Sequence, residues 1–135
     1  MKRSRYLLDT TIISHLIKDP SGVVARKIAT VGETKVCTSL VVACELRFGA
    51  AKKGSPKLTA QLESILSALD ILPLEEPVDL HYADIRLHLS MNGHPIGHND
   101  LLIAAHARSL GLVMVTNNTR EFLRVPGLQV EDWLV

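Results

Sequence analysis

The run Leu112-Val113-Met114-Val115 is apolar at every position, with none of the alternation that a strand with one wet face shows. Tyr6-Leu7-Leu8 and Val36-Cys37-Thr38 come close to the same pattern, and the segments between these runs carry apolar residues every three or four positions. Short strands covered on both faces and alternating with helices leave few architectures. They predict a mainly parallel sheet with helices on both sides, a three-layer α/β/α sandwich of the α/β class.

The helix boundaries can be read in some detail. Ile12, Ile13, Leu16 and Ile17 recur at helical spacing after Asp9 and stop at Asp19-Pro20. Residues 23–31 read as a second short helix, and Ser39 as the N-cap of a helix over about 40–52 that Gly54-Ser55-Pro56 breaks. Residues 58–69 are amphipathic, 71–74 form a short strand or edge, and 78–91 are helical with Asp79 as a point of interruption. Asn99 or Asp100 caps a helix over 101–110 that Gly111 ends, and a last strand follows the Pro126-Gly127 turn at 128–130. At 135 residues and 47% apolar content, a single domain over 1–135 is expected.

Several function classes fall away. No apolar run approaches the roughly 20 residues that span a bilayer, and Asp9 interrupts the stretch after the basic first five residues. A soluble, cytoplasmic chain is the expectation, with no membrane partner. Cys37 and Cys44 then read as two reduced core thiols. The six histidines show no HExxH or Cys/His spacing, which argues against zinc, and the absence of a glycine-rich phosphate loop argues against P-loop nucleotide hydrolysis. The net charge of +1 hides a split: residues 1–57 hold 11 Lys/Arg against 4 Asp/Glu, and residues 58–135 hold 4 against 10. Lys2, Arg3, Arg5, Arg26, Lys27, Arg47, Lys52, Lys53 and Lys57 could form a phosphate-facing surface, or simply solvated helix faces.

Against that background four carboxylates stand at element joints. Asp9 ends the first strand, Glu45 lies inside the third helix with Val41, Val42, Phe48 and Gly49 around it, Asp100 begins the helix of Leu101-Leu102-Ile103, and Glu121 opens a helix after the 112–115 strand. Carboxylates at such places pay for desolvation unless something compensates them. Asp9 reads equally as a plain N-cap, with Thr10 or Thr11 as alternatives for that role, and Asp100 and Glu121 also suit helix first turns. Glu45 is the hardest to explain away, its alternative being a pairing with a distant Lys or Arg. Oxygen ligands of this kind suit a hard divalent cation, Mg²⁺ with Mn²⁺ as substitute. Thr10, Thr116, Asn117 and Asn118 are neutral oxygen carriers suited to holding a metal-bound water or a phosphate oxygen. Such a cluster suits phosphodiester hydrolysis, one ion acidifying a water and a second about 4 Å away steadying the leaving oxygen.

The segments Tyr6-Leu7-Leu8-Asp9-Thr10-Thr11, Glu45-Leu46-Arg47-Phe48-Gly49-Ala50, Ile96-Gly97-His98-Asn99-Asp100 and Val115-Thr116-Asn117-Asn118-Thr119-Arg120-Glu121-Phe122 stand in order along the chain. Together they resemble the PIN-domain ribonucleases of the VapC toxin type, over nearly the whole length. The resemblance implies a metal-dependent endoribonuclease with Asp9, Glu45 and Asp100 as acidic metal ligands and Glu121 at the fourth acidic position. It further implies a homodimer held inactive by a small VapB-type antitoxin that inserts a segment near the acidic cleft, and an RNA substrate, with transfer RNA and the initiator tRNA anticodon loop suggested by the pattern toward the C-terminus. Arg47, Lys52, Lys53 and Asn117 are the residues expected on the RNA.

The chain departs from the family twice. Thr11 stands where the family usually has Asn, which is expected to loosen a hydrogen bond orienting Asp9, and Glu121 stands where many members have Asp. Two rival classes are weighed against this reading. A haloacid-dehalogenase-like phosphotransferase with Asp9 as nucleophile wants a second Asp where Thr11 stands. A non-catalytic RNA- or protein-binding module would keep the fold and lose turnover.

Overall fold

The computed structural model describes residues 4–135, so Lys2 and Arg3 of the expected basic surface lie outside the described residues. Five strands, β1 (Tyr6–Leu8), β2 (Val36–Ser39), β3 (Asp70–Leu72), β4 (Val113–Val115) and β5 (Val130–Glu131), form one sheet in the order β3-β2-β1-β4-β5. Every pairing is parallel, with Leu7 opposite Cys37 on one side and Met114 on the other. Leu7, Leu8, Cys37, Met114 and Val115 are fully buried, which is why these runs carry no alternation.

The helices are α1 (Thr10–Lys18), α2 (Val23–Val31), α3 (Leu40–Lys53), α4 (Pro56–Ala68), α5 (Val78–Met91), α6 (His98–Ser109) and the single turn α7 (Thr119–Phe122). Local sequence accounts for the tightest joint. Gly54 ends α3 at φ +65°, a left-handed conformation open to glycine, and its N–H reaches the carbonyls of Ala50 and Ala51. Ser55 then caps α4 through its hydroxyl, which accepts from Leu58 N at 3.2 Å, with Pro56 in the first helical position.

Sequence expectations and structure differ in five places. The 71–74 strand is shifted to Asp70–Leu72, and the last strand falls at Val130–Glu131 rather than at 128–130. Helix α5 runs through Asp79 without a break, because a carboxylate is favoured in a first turn. Helix α6 begins at His98 with Gly97 as N-cap, so Asp100 is in its first turn and neither Asn99 nor Asp100 caps it. Cys44 is exposed, and only Cys37 is a core thiol, its pKa pushed up to about 11 chiefly by burial.

A buried polar link joins the two halves of the molecule. His106 of α6 is 1% exposed, and its Nδ1 lies 2.8 Å from Ser39 Oγ, the group that also accepts from Val41 N at the start of α3. Burial holds its pKa below the ordinary value, while a hydrogen bond to the Pro73 backbone works in the opposite direction.

Strand order reverses between β1 and β4: from β1 the chain goes to β2 on one side and later returns to β4 on the other. Ligands of open parallel sheets bind in the crevice outside the carboxyl ends of strands at such a switch point. Asp9 follows β1 there, and Thr116 follows β4.

Candidate active site

Asp9 is locked at the head of that crevice. Its backbone N–H donates to Val115 O at 2.9 Å, and it N-caps α1 with Oδ1 accepting from Thr10 N at 2.7 Å. The other oxygen, Oδ2, accepts from Thr116 Oγ1 at 2.8 Å. The residue is 4% exposed, and burial raises its pKa above the usual carboxylate range against the pull of those bonds, with the Glu45 charge adding to the rise. Cap and site residue are therefore one role here, since a second lone pair on each oxygen is left for a ligand.

Glu45 reaches the same place from α3. Oε1 accepts from Thr10 Oγ1 at 2.7 Å and Oε2 from Asn99 Nδ2 at 3.3 Å, so its partners are a hydroxyl and an amide instead of a distant Lys or Arg. Its helix face is less apolar than the sequence suggests, because Phe48 is 69% exposed. Asp100, half-buried in the first turn of α6, has its pKa raised to about 6. Burial is the main cause, followed by the charges of Asp9, Glu121 and Glu45, and a hydrogen bond to Glu121 pushes the same way. Glu121 in turn accepts from Asn118 Nδ2 at 2.9 Å.

The four acids thus face one another across the β1/β4 crevice closely enough that three of them act on the fourth. No Lys or Arg forms an ion pair with any of them among the described residues. The donor set, four anionic carboxylates framed by neutral hydroxyls and amides, fits a hard divalent cation by its chemistry. The side chains do not converge as ligands, for among the described residues no three His, Cys, Asp or Glu groups stand in metal-holding geometry. Each is instead turned toward a hydrogen-bond donor or, for Asp100 and Glu121, toward the other.

Some neutral residues play parts the sequence did not reveal. Thr10 and Thr116 orient Glu45 and Asp9 directly, whereas they had been expected to face a water or a phosphate. Asn99, expected only as a possible cap, donates to Glu45 from an exposed position, and no local sequence signal marked that role. Thr11 does not touch Asp9: its Oγ1 accepts from Asn117 N at 3.3 Å, so it tethers the loop after β4, and the orientation of Asp9 rests on Thr116 and the Thr10 amide. With Thr11 at that position, the second Asp two residues after Asp9 that a covalent phosphotransfer site wants is absent.

Of the residues expected on RNA, Arg47 is held in a two-pronged pair with Glu63 of α4, Nε to Oε2 at 3.0 Å and Nη2 to Oε1 at 2.9 Å. Lys52, Lys53 and Asn117 are exposed. Lys53 and Lys18 line a groove of about 250 Å³ between α1, α3 and α4, floored by Ile17, Leu46 and Leu62 and sharing Thr10 and Glu45 with the acidic cluster.

A parallel five-stranded sheet with an acidic cluster at its switch point defines a class, and comparison with known proteins agrees. The PIN domain family model matches residues 6–128. A tRNA(fMet)-specific endonuclease VapC of Shigella flexneri is 41% identical over 130 residues, 96% of this chain and 98% of that protein. Ribonuclease VapC2 of Haemophilus influenzae is 42% identical over 132 residues, with coverage of 96% and 98%. Among solved structures, the DNA-bound VapBC of Salmonella typhimurium superposes with a TM-score of 0.88 at 35% identity, covering 96% of this chain and 98% of that one. The chain belongs to the PIN-domain family, and within it to the VapC ribonucleases. No helix among the described residues is long and apolar enough to cross a membrane.

Proposed function

We propose that this chain is the toxin of a toxin–antitoxin pair, a metal-dependent endoribonuclease that hydrolyses RNA phosphodiester bonds. The observation that carries the reading is the gathering of Asp9, Glu45, Asp100 and Glu121 at the β1/β4 crevice, where Thr and Asn side chains hold the acids and none of them forms an ion pair with Lys or Arg among the described residues. Asp9, Glu45 and Asp100 would hold Mg²⁺, with Mn²⁺ as substitute, and Glu121 would complete the set from α7. When bound, the ion supplies Lewis acidity toward the phosphodiester and lowers the pKa of water.

The protein's own groups do the orienting. Thr116 and the Thr10 amide fix the two Asp9 oxygens, Thr10 and Asn99 fix those of Glu45, and Asn118 fixes Glu121. Asp100, its pKa raised to about 6, must lose its proton before it can act as a ligand, which couples ion binding to pH.

Transfer RNA is the proposed substrate, with the initiator tRNA anticodon loop as the site suggested by the Shigella relative's specificity. An unpaired loop can be splayed into a crevice of this kind. A homodimer bound by a VapB-type antitoxin is the proposed resting form, in keeping with the VapBC complexes among the structural relatives. The groove between α1, α3 and α4 suits an apolar antitoxin segment, because it is floored by aliphatic side chains and opens onto Glu45. The proposed location is the cytoplasm. Incubating total tRNA with the antitoxin-free chain in Mg²⁺ or Mn²⁺ should give discrete cuts that vanish in EDTA and in Asp100→Asn. Intact tRNA in both metals would refute the proposal.

A further inference from the structure

A second cleft, of about 190 Å³, opens between the C-terminal half of α5 and the first turn of α6. Leu89, Ile96 and Leu101 form its buried floor, and Arg86, Ser90 and His98 its exposed rim. Arg86 and Ser90 are four residues apart on α5 and so share one helix face.

Arg86 differs from the other well-placed arginines. Arg108 is fully engaged, with Nε on His81 at 2.8 Å, Nη1 on Pro126 O at 2.9 Å and Nη2 on Asp84 at 2.7 Å, and Arg47 is engaged by Glu63. Arg86 has no carboxylate partner among the described residues. Its guanidinium lies over the Tyr82 ring, 5.9 Å from the centroid, and donates once, from Nη1 to Tyr82 Oη at 3.0 Å. A guanidinium has five N–H donors, so most of this fork is held in place and free to meet an anion.

The other wall of the cleft is the first turn of α6, which also carries Asp100. Gly97 caps α6 without a side chain, so the first-turn N–H groups receive no side-chain acceptor. His98 is the first residue of that turn, and the next two, Asn99 and Asp100, belong to the acidic cluster. At 1.5 Å of rise per residue, His98 and Asp100 are about 3 Å apart along the helix axis. Cations thus line a cleft on each flank of the α6 start, Lys18 and Lys53 in the groove that includes Glu45 and Arg86 in the cleft that includes His98.

Building on the nuclease reading, we propose that the α5–α6 cleft is a phosphate subsite for the RNA strand, binding a backbone phosphate next to the one that is cleaved. Arg86 supplies the charge-assisted fork, and Ser90, His98 and the α6 amides supply further donors. The size matches the role: sites that enclose a whole small molecule run to about 300–1,000 Å³, so this cleft takes a phosphate with part of its sugar and leaves the base outside.

The test uses full-length chain carrying Asp100→Asn, so that RNA is bound without being cut, and measures fluorescence anisotropy of labelled tRNA across a salt series. Adding Arg86→Ala should weaken binding about five- to tenfold and flatten the slope of log K against log salt by about 0.7–0.9, the loss of one phosphate contact. Arg86→Lys should keep most of the slope, and His98→Gln should weaken binding by a smaller factor. In the active chain, Arg86→Ala should raise KM for tRNA cleavage and leave kcat within about twofold. Unchanged affinity and slope in Arg86→Ala and His98→Gln, with wild type still cutting RNA, would overturn the subsite and spare the nuclease reading. Inorganic phosphate that raises the melting temperature of wild type but not of Arg86→Ala, with RNA affinity unaltered, would make the cleft a free-anion site and overturn the proposal too. Absence of RNA cleavage and binding by wild type would overturn both.

Discussion

Replacing Asp100 by Asn should abolish cleavage and, in the absence of metal, make the protein more stable. In the folded chain the Asp100 carboxyl titrates near 6 instead of 3.8. The unfolded chain therefore loses this proton first as pH rises, and ionisation of Asp100 destabilises the fold. Below about pH 4 both states are protonated and the effect vanishes; it grows between about 4 and 6 and is complete above that window. An unscreened shift of this size corresponds to about 3 kcal/mol at 1.36 kcal/mol per pH unit, and because Asp100 is only half-buried, solvent screening reduces it to roughly 1–1.5 kcal/mol. Asn removes the charge while its amide can still donate to Glu121, the bond that protonated Asp100 makes.

Thermal melts in EDTA at pH 8 should then place Asp100→Asn about 3–7 °C above wild type, with the two converging at pH 4. Magnesium should reverse the order. At a hundred times its dissociation constant it would add about 2.7 kcal/mol to wild type and little to the variant, which would lack one of the proposed ligands. A variant that melts below wild type in EDTA at pH 8, or that gains as much from Mg²⁺ as wild type does, would refute the reasoning.

Thr116→Val should lower kcat for tRNA cleavage by about 10- to 100-fold and cost about 1–3 kcal/mol in urea unfolding, since buried Asp9 loses the hydroxyl that donates to its Oδ2. Asn99→Ala should cut kcat less, because Thr10 still holds Glu45; equal losses in Asn99→Ala and Thr116→Val, compared by single-turnover kinetics, would contradict this ranking. Arg47→Ala should change tRNA affinity by less than about twofold, because its guanidinium already serves Glu63, whereas Lys53→Ala should weaken it measurably by the same anisotropy assay. His106, whose pKa is lowered by burial, binds its proton more readily when unfolded, so stability should fall as pH drops below about 6.5, and His106→Gln should blunt that acid-side loss in urea titrations.

The architecture was legible because the pattern of burial writes directly into sequence. A run such as Leu112 to Val115 has one reading, and the Gly54-Ser55-Pro56 joint carries each of its signals in the residue that performs it. The four acids were legible for the same reason, as charges out of place among apolar neighbours. What stayed hidden depends on long-range contacts. Nothing local distinguishes a threonine that bonds a carboxylate 35 residues away, as Thr10 does to Glu45, from one that caps a helix. Arg47 looked free because its partner Glu63 sits on the next helix, and Cys44 and Phe48 looked buried because their helix is apolar on more than one side. The shifted strands β3 and β5 lie at the sheet edges, where pairing on one side only leaves the boundary weakly specified.

The choice of partners around the acids connects stability to chemistry. An arginine beside Asp9 or Glu45 would have compensated the charge and lowered the pKa values, and it would also have filled the place a cation needs. Hydroxyls and amides orient a carboxylate without neutralising it. Thr10, Thr116, Asn99 and Asn118 hold three of the four acids in this way, and Asp100 bears the resulting repulsion. The fold can carry that strain because it is confined to the mouth of the β1/β4 crevice, above the fully buried Leu7, Leu8, Met114 and Val115. Binding of the proposed divalent cation would therefore be favoured twice, by its own ligation and by relief of the repulsion among the acids. A variant that neutralises any one of the four should lose part of both gains, and the substitution that loses most is the one at Asp100, where the other three charges converge.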